Sequence, residues 1–145
     1  MAGFCSEFVG DGGASVVIEA NAQTVYAYFL VGGRITGDVW LFNRQQAPEN
    51  APWEHGGEPP FMNARRFALE CLDAAAVTPG DFRVMFRPED TGKKAAIYLR
   101  DRLVAIVWDG CAPGKSAFAR ETSPVAVAFG DVPKARQVPS REPAG

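Results

Sequence analysis

The chain has 145 residues, 47% of them hydrophobic and 22% charged, with a formal net charge of −2. That length supports one core burying roughly two thirds of the surface the unfolded chain would expose, and the composition excludes collagen-like, disordered and membrane-spanning proteins. No apolar run approaches the about 20 residues needed to cross a bilayer, and the first residues lack the basic and apolar regions of a signal peptide, so a cytoplasmic location is expected.

Taken in order, Ala14 to Ala20 follows a Gly-Asp-Gly-Gly turn and predicts a first strand. Thr24 to Val31, rich in β-branched and aromatic residues, predicts a second. Gly32-Gly33 then marks a tight hairpin, because both positions of a type I′ turn need a positive φ. The return strand runs from Arg34 to about Asn43. Alternation places Ile35, Val39 and Leu41 on one side and Trp40 and Phe42 on the other, so the end of this strand is apolar on both sides and calls for a second layer.

Residues 44–63 form a long segment without helical or strand periodicity. They contain four prolines, the single histidine, Trp53 and three glutamates. A long loop in a compact domain is usually functional or disordered, and its aromatic content argues for order. Asn63 is a suitable cap for a helix over Ala64–Ala76, which would set Phe67, Ala68, Cys71 and Leu72 on one stripe. Asp81 to Arg87 alternates as a strand with Phe82, Val84 and Phe86 on its buried face. Ala95–Leu99 and Leu103–Trp108 predict a hairpin joined by Arg100-Asp101-Arg102. Ala117–Arg120 and Pro124–Phe129 predict a last, edge-type strand. The stretch from Asp131 carries three prolines and no aromatics and reads as a frayed tail. The expected architecture is therefore α+β, mainly β. It comprises a bent or two-layer antiparallel sheet of about six or seven strands with one helix, in a single domain over 1–130 with a flexible tail over 131–145.

Charge is uneven along the chain. Residues 1–63 hold seven acids against two bases, net −5, and residues 64–145 hold ten acids against thirteen bases, net +3. The acidic half is unlike a nucleic-acid surface, which would be basic, and suits a basic protein partner, although a soluble protein also scatters charge unevenly without purpose.

Candidate chemistry is sparse. Gly10-Asp11-Gly12-Gly13 precedes a strand rather than a helix, and Gly114-Lys115-Ser116 is a fragment of a phosphate-binding loop with no helix to follow it, so both read as turns. Cys5, Cys71 and Cys111 have neither disulfide nor zinc spacing and read as buried thiols. Glu54, His55 and Glu58 cluster in the loop, but no helix holds them on one face as a metal set would require. Asp38, beside Trp40, needs a hydrogen-bonding partner if it is buried; it is read as a β-bulge or strand-end carboxylate that bonds backbone amides, with an acid–base role as the alternative. No nucleophile, base and orienting group can be assembled around one histidine. Trp53 is either folded onto the core or presented as an anchor, the role tryptophan often takes at interfaces.

The segments Gly37-Asp38-Val39-Trp40-Leu41-Phe42-Asn43-Arg44, Pro52-Trp53, Pro59-Pro60-Phe61-Met62-Asn63, Ala96-Ile97-Tyr98-Leu99-Arg100 and Pro113-Gly114-Lys115-Ser116 resemble small bacterial proteins of the kind that serve as immunity partners of polymorphic toxins. The resemblance spans about residues 14 to 130 and carries no catalytic motif. It implies a non-enzymatic protein, with no cofactor or metal, that binds and neutralises one cognate toxin. On that reading Glu49, Trp53, Glu54, His55 and Glu58 form the partner-binding loop, and the partner is a protein toxin with a basic active-site surface, with no direct nucleic-acid or membrane contact. The alternative is a small-molecule-binding or hydrolytic domain with a pocket under the 44–63 loop.

Overall fold

The computed structural model describes residues 3–50, 53, 60–70, 76–87 and 93–132. Two sheets pack their inward faces together. The first has the order β1-β2-β3-β4, formed by Phe4–Val9, Ala14–Ala20, Thr24–Val31 and Arg34–Asn43, all antiparallel. The second has the order β5-β6-β7-β8-β9, formed by Phe82–Phe86, Lys94–Leu99, Arg102–Trp108, Lys115–Ser116 and Val127–Ala128, with the last pair parallel. A mainly β, two-layer protein is thus what forms, with nine strands among the described residues rather than six or seven.

The tight turns follow local rules. Gly32 and Gly33 take φ values of 60° and 82°, as the hairpin between β3 and β4 demands. The β6–β7 hairpin achieves the same geometry without glycine, with Arg100 and Asp101 at φ 50° and 68°. That left-handed geometry costs a non-glycine residue roughly 1–2 kcal/mol. Arg100 is held there by Asp81, 3.3 Å away, and by the Ala76 carbonyl at 3.3 Å.

β1 extends the sheet beyond the sequence expectation. Its residues alternate, with Phe4, Ser6 and Phe8 half-buried and Cys5, Glu7 and Val9 exposed. The Phe4 ring packs 6.2 Å from that of Phe82 across the two layers.

β4 is the strand on which the layers meet. One of its edges pairs with β3. The other accepts and donates bonds from the chain after β7, with Gly110 N to Thr36 O at 3.0 Å, Asp38 N to Cys111 O at 3.2 Å, Gly114 N to Asp38 O at 2.8 Å and Trp40 N to Val125 O at 2.9 Å. This approach requires glycine at position 37, since a Cβ there would lie 2.6 Å from both Cys111 Sγ and the Trp108 carbonyl oxygen. Ser116 Oγ adds a 2.8 Å bond to the Leu41 carbonyl.

The two-sided burial expected for β4 is present, and Val39, Trp40, Leu41 and Phe42 are fully enclosed. The assignment of its faces is corrected. Val25 pairs with Phe42 and Tyr26 with Trp40, leaving Leu41 as an extra residue; Phe29 pairs with Gly37 and Leu30 with Ile35, leaving Thr36 as another. Each bulge shifts the alternation by one position and so reverses the faces beyond it. Phe42 consequently joins Val39 on the inward face, where its ring meets Phe118 edge-on at 5.3 Å, while Ile35 turns outward and is 62% exposed.

The helix expected over Ala64–Ala76 is absent from its described part, residues 64–70 and Ala76. Phe67 N bonds Ala64 O in a single turn; the chain then extends, with Leu69 N to Phe118 O at 2.9 Å and Arg120 N to Phe67 O at 2.7 Å around a bridge between Ala68 and Ala119. Asn63 does not act as a helix cap. It is wholly buried, its backbone amide donates to Asn43 Oδ1 at 2.9 Å and its carbonyl accepts from Asn43 Nδ2 at 2.8 Å. Tertiary pairing has overridden the helical spacing of Phe67 and Ala68, and Cys71 and Leu72 lie outside the described residues. Of the expected last strand, Pro124–Phe129 contains the short edge strand β9, whereas Ala117–Arg120 holds only the bridge at Ala119 and β8 lies just before it. The tail from residue 133 lies outside the described residues. No helix among the described residues is long and apolar enough to cross a membrane.

Candidate functional site

Register assigns each outward side chain of the first sheet. One row across β1 to β4 is Cys5, Glu19, Tyr26 and Trp40; the next is Glu7, Val17, Tyr28 and Asp38; the third is Val9, Ser15, Leu30 and Ile35. The charged members are Glu7, Glu19 and Asp38, and no base occupies an outward position of these strands. Three of the seven acids of residues 1–63 therefore share one surface.

Segment 60–63 covers one end of that surface. The Tyr26 hydroxyl donates to the Phe61 carbonyl at 2.8 Å and accepts from the Phe61 amide at 3.2 Å. Beneath this cover Trp40 donates Nε1–H to Asn43 Oδ1 at 2.9 Å, the same oxygen that takes the Asn63 amide. A buried indole N–H and a buried amide are thereby satisfied by one side chain. The Tyr26 and Tyr28 rings are nearly parallel, with an interplanar angle of 18° and centroids 6.2 Å apart.

Beyond the cover Glu19, Tyr28 and Asp38 are half-buried, while Cys5, Glu7, Val9 and Ile35 are exposed. The Tyr28 hydroxyl donates to Glu19 Oε1 at 3.3 Å. Its pKa is raised well above the usual phenol value, first by burial and then by the negative charges of Glu19 and Asp38. The Tyr26 pKa is raised mainly by burial, against the opposing hydrogen bond to Phe61. Asp38 is held by its backbone between β3 and the 110–114 segment, yet its carboxylate makes no hydrogen bond or ion pair among the described residues. Burial raises its pKa above the ordinary 3.8. The backbone bonds agree with a structural position for Asp38, but the expected use of its side chain to satisfy backbone amides does not occur.

The loop residues singled out from sequence are distributed differently. Glu49 is exposed and lies 3.3 Å from Arg65 in a solvent-facing ion pair. Trp53 is half-buried, its ring 5.8 Å from Phe67 and packed against the core. Glu54, His55 and Glu58 lie outside the described residues. The cysteines also divide. Cys111 is buried and its thiol is pushed up to about 11, chiefly by burial, which makes it an inert thiol. Cys5 is exposed on β1, contrary to the expectation of a buried thiol, because the strand turns it to the outward side. Cys71 lies outside the described residues.

Glu7, Glu19, Tyr26 and Tyr28 were not singled out from sequence. Their signal is the period-two alternation of β2 and β3, which becomes informative once the pairing shows that these residues converge with Asp38. Chemically the surface offers hydrogen-bond acceptors, negative charge and aromatic area. Among the described residues no three histidine, cysteine or carboxylate side chains come together as a metal set. Comparison with protein-family models, with curated proteins and with solved structures finds no match to this chain.

Proposed function

We propose that this chain is a non-catalytic protein-binding domain whose partner presents a basic surface, and that its concrete form is an immunity protein that neutralises a cognate bacterial toxin by covering that toxin's basic active-site surface. The observation that carries the reading is the outward side of the first sheet, where Glu7, Glu19 and Asp38 stand with Tyr26 and Tyr28 and without a base. Carboxylates on such a surface steer a basic partner into encounter, and tyrosine supplies contact area of the kind that anchors interfaces. Apolar contact is available at the end of the same face, where Val9 is 77% and Ile35 62% exposed.

The 44–63 loop belongs to this reading as the border of the face, since Phe61 lies over Tyr26. Glu49, Trp53, Glu54, His55 and Glu58 are the loop residues proposed to extend the contact. Trp53 would act there by supporting the loop through Phe67 rather than as a protruding anchor.

The test is co-expression with the product of the neighbouring gene, scored by protection and by one-to-one co-purification. Changing Glu7, Glu19 and Asp38 together to Lys should preserve the circular dichroism spectrum and remove both protection and the complex. A folded triple variant that still protects would show that the partner uses another surface.

A further inference from the structure

The molecule contains, on its second sheet, a complete example of an arrangement that its first sheet leaves incomplete. Arg83 of β5 lies with its guanidinium carbon 4.6 Å from the centroid of the Tyr98 ring, and its Nη2 is 3.7 Å from Asp101 Oδ1. A guanidinium thus rests on a tyrosine of the neighbouring strand while a carboxylate at the edge answers its charge. On the first sheet Tyr28 of β3 has Asp38 as its direct cross-strand neighbour on β4 and bonds Glu19 on β2. The flanking strands are about 10 Å apart, so a carboxylate stands on either side of the tyrosine. The ring and the carboxylates are present, and no cation among the described residues lies on them.

Resting on the reading of this face as a site for a basic protein, we propose that Tyr28, Glu19 and Asp38 form the seat for one arginine side chain of that partner, its guanidinium lying on the Tyr28 ring between the two carboxylates. Several features favour arginine over lysine. The guanidinium is planar and stacks on aromatic rings, it carries five donors in a fork that can address both carboxylates, and it loses its hydration more readily than an ammonium when placed against a half-buried group. Attraction to the ring face adds to the ionic contacts. Asp38 contributes most, because its carboxylate is half-buried and unpaired among the described residues, whereas Glu7 in the same row is exposed and retains its water. The penalty that burial places on the Asp38 carboxylate is offset when a fixed positive charge arrives, so binding and ionisation of this carboxyl reinforce each other.

The test uses the full chain with acetylated tetra-arginine and tetra-lysine peptides as probes, by calorimetry at low ionic strength. Tetra-arginine should bind about tenfold tighter than tetra-lysine, on the order of a charge-assisted contact with ring stacking. Asp38→Asn should remove about that factor of preference, while Glu7→Gln, on the same face, should weaken both peptides alike and leave their ratio within about twofold of the parent's. Tyr28→Leu should abolish the preference for arginine; the shape-conserving Asp38→Asn keeps the test valid if Tyr28→Leu fails to fold. A further readout is the Asp38 carboxyl titration followed by NMR, which should move down on addition of tetra-arginine. Equal affinity for the two peptides, with Glu7→Gln and Asp38→Asn behaving alike, would overturn the arginine seat and leave the acidic face as a general attractor of bases. Binding of neither peptide would overturn both the seat and the reading of the face on which it rests.

Discussion

The outward faces of the two sheets are built alike and differ in how their charges are answered. On the second sheet the outward residues of the strands include Arg83, Lys94 and Lys115, and no acid. There Arg83 is held within the molecule by Tyr98, by Met85 Sδ at 3.0 Å and by Asp101. On the first sheet the acids are Glu7, Glu19 and Asp38, of which Glu19 takes a phenol hydroxyl and Asp38 takes nothing among the described residues. Part of the charge difference between the halves of the chain has become a difference between the outward faces of the two sheets. A face that satisfies its own charges serves the fold, whereas a half-buried carboxylate left unpaired costs stability and is affordable chiefly where a ligand supplies the missing charge.

The largest effect that would break this comparison concerns what lies under the covered end of the first sheet. Trp40→Ala should destabilise the protein by roughly 3–5 kcal/mol in urea unfolding, the usual cost of deleting a large buried aromatic, and should also release Asn43 from the bond it makes to the indole. If the unfolding midpoint barely moves, segment 60–63 does not seal this surface.

A smaller effect sharpens the contrast through pH. Because burial raises the Asp38 pKa in the folded state, the folded protein holds this proton more tightly than the unfolded chain. The contribution is favourable below the ordinary value of 3.8 and is lost as pH rises through the raised folded value. Asp38→Asn should therefore gain thermal stability over the parent at neutral pH, and the gain should shrink on acidification toward pH 3.8 and below. An advantage that instead grows toward acid would mean that Asp38 is stabilised as a carboxylate by a partner within the fold.

The smallest effect is expected on the opposite surface. Arg83→Ala should change stability by less than about 1 kcal/mol, since its ion pair is solvent-facing, and should leave complex formation with the proposed basic partner intact. Loss of the complex in that variant would exchange the roles of the two faces.

Much of the framework was legible because it rests on short-range rules. β2, β3 and β4 have the expected bounds, and the Gly32-Gly33 turn has the positive φ values that only its residue types foretold. The alternation of Phe82, Val84 and Phe86 was equally direct. β1 escaped notice because six residues beginning near the N-terminus, with Ser6 inward and Cys5 and Val9 outward, show no clean division of polar from apolar. The helical reading of residues 64–70 was a wrong period assignment: Phe67 and Ala68 do match a helical stripe, but Ala68 pairs with Ala119 and Asn63 is consumed by Asn43, partners distant in sequence. The candidate site was legible only through Asp38, whose proximity to aromatic residues stood out, while Glu19 and Tyr28 needed the pairing to become its neighbours.

The sequence by itself determined where most of the strands lie, which turns join them and that a second layer must cover β4, because propensity, alternation and turn chemistry act within a few residues. Tertiary structure decided which side of each strand faces the core and which faces outward. The two bulges in β4 reverse its faces, and Gly37 admits Cys111 against its edge. The pairing of three strands collects Glu19, Tyr28 and Asp38 from separate segments onto one surface. A face is a property of register, and register depends on contacts that no local window of sequence contains.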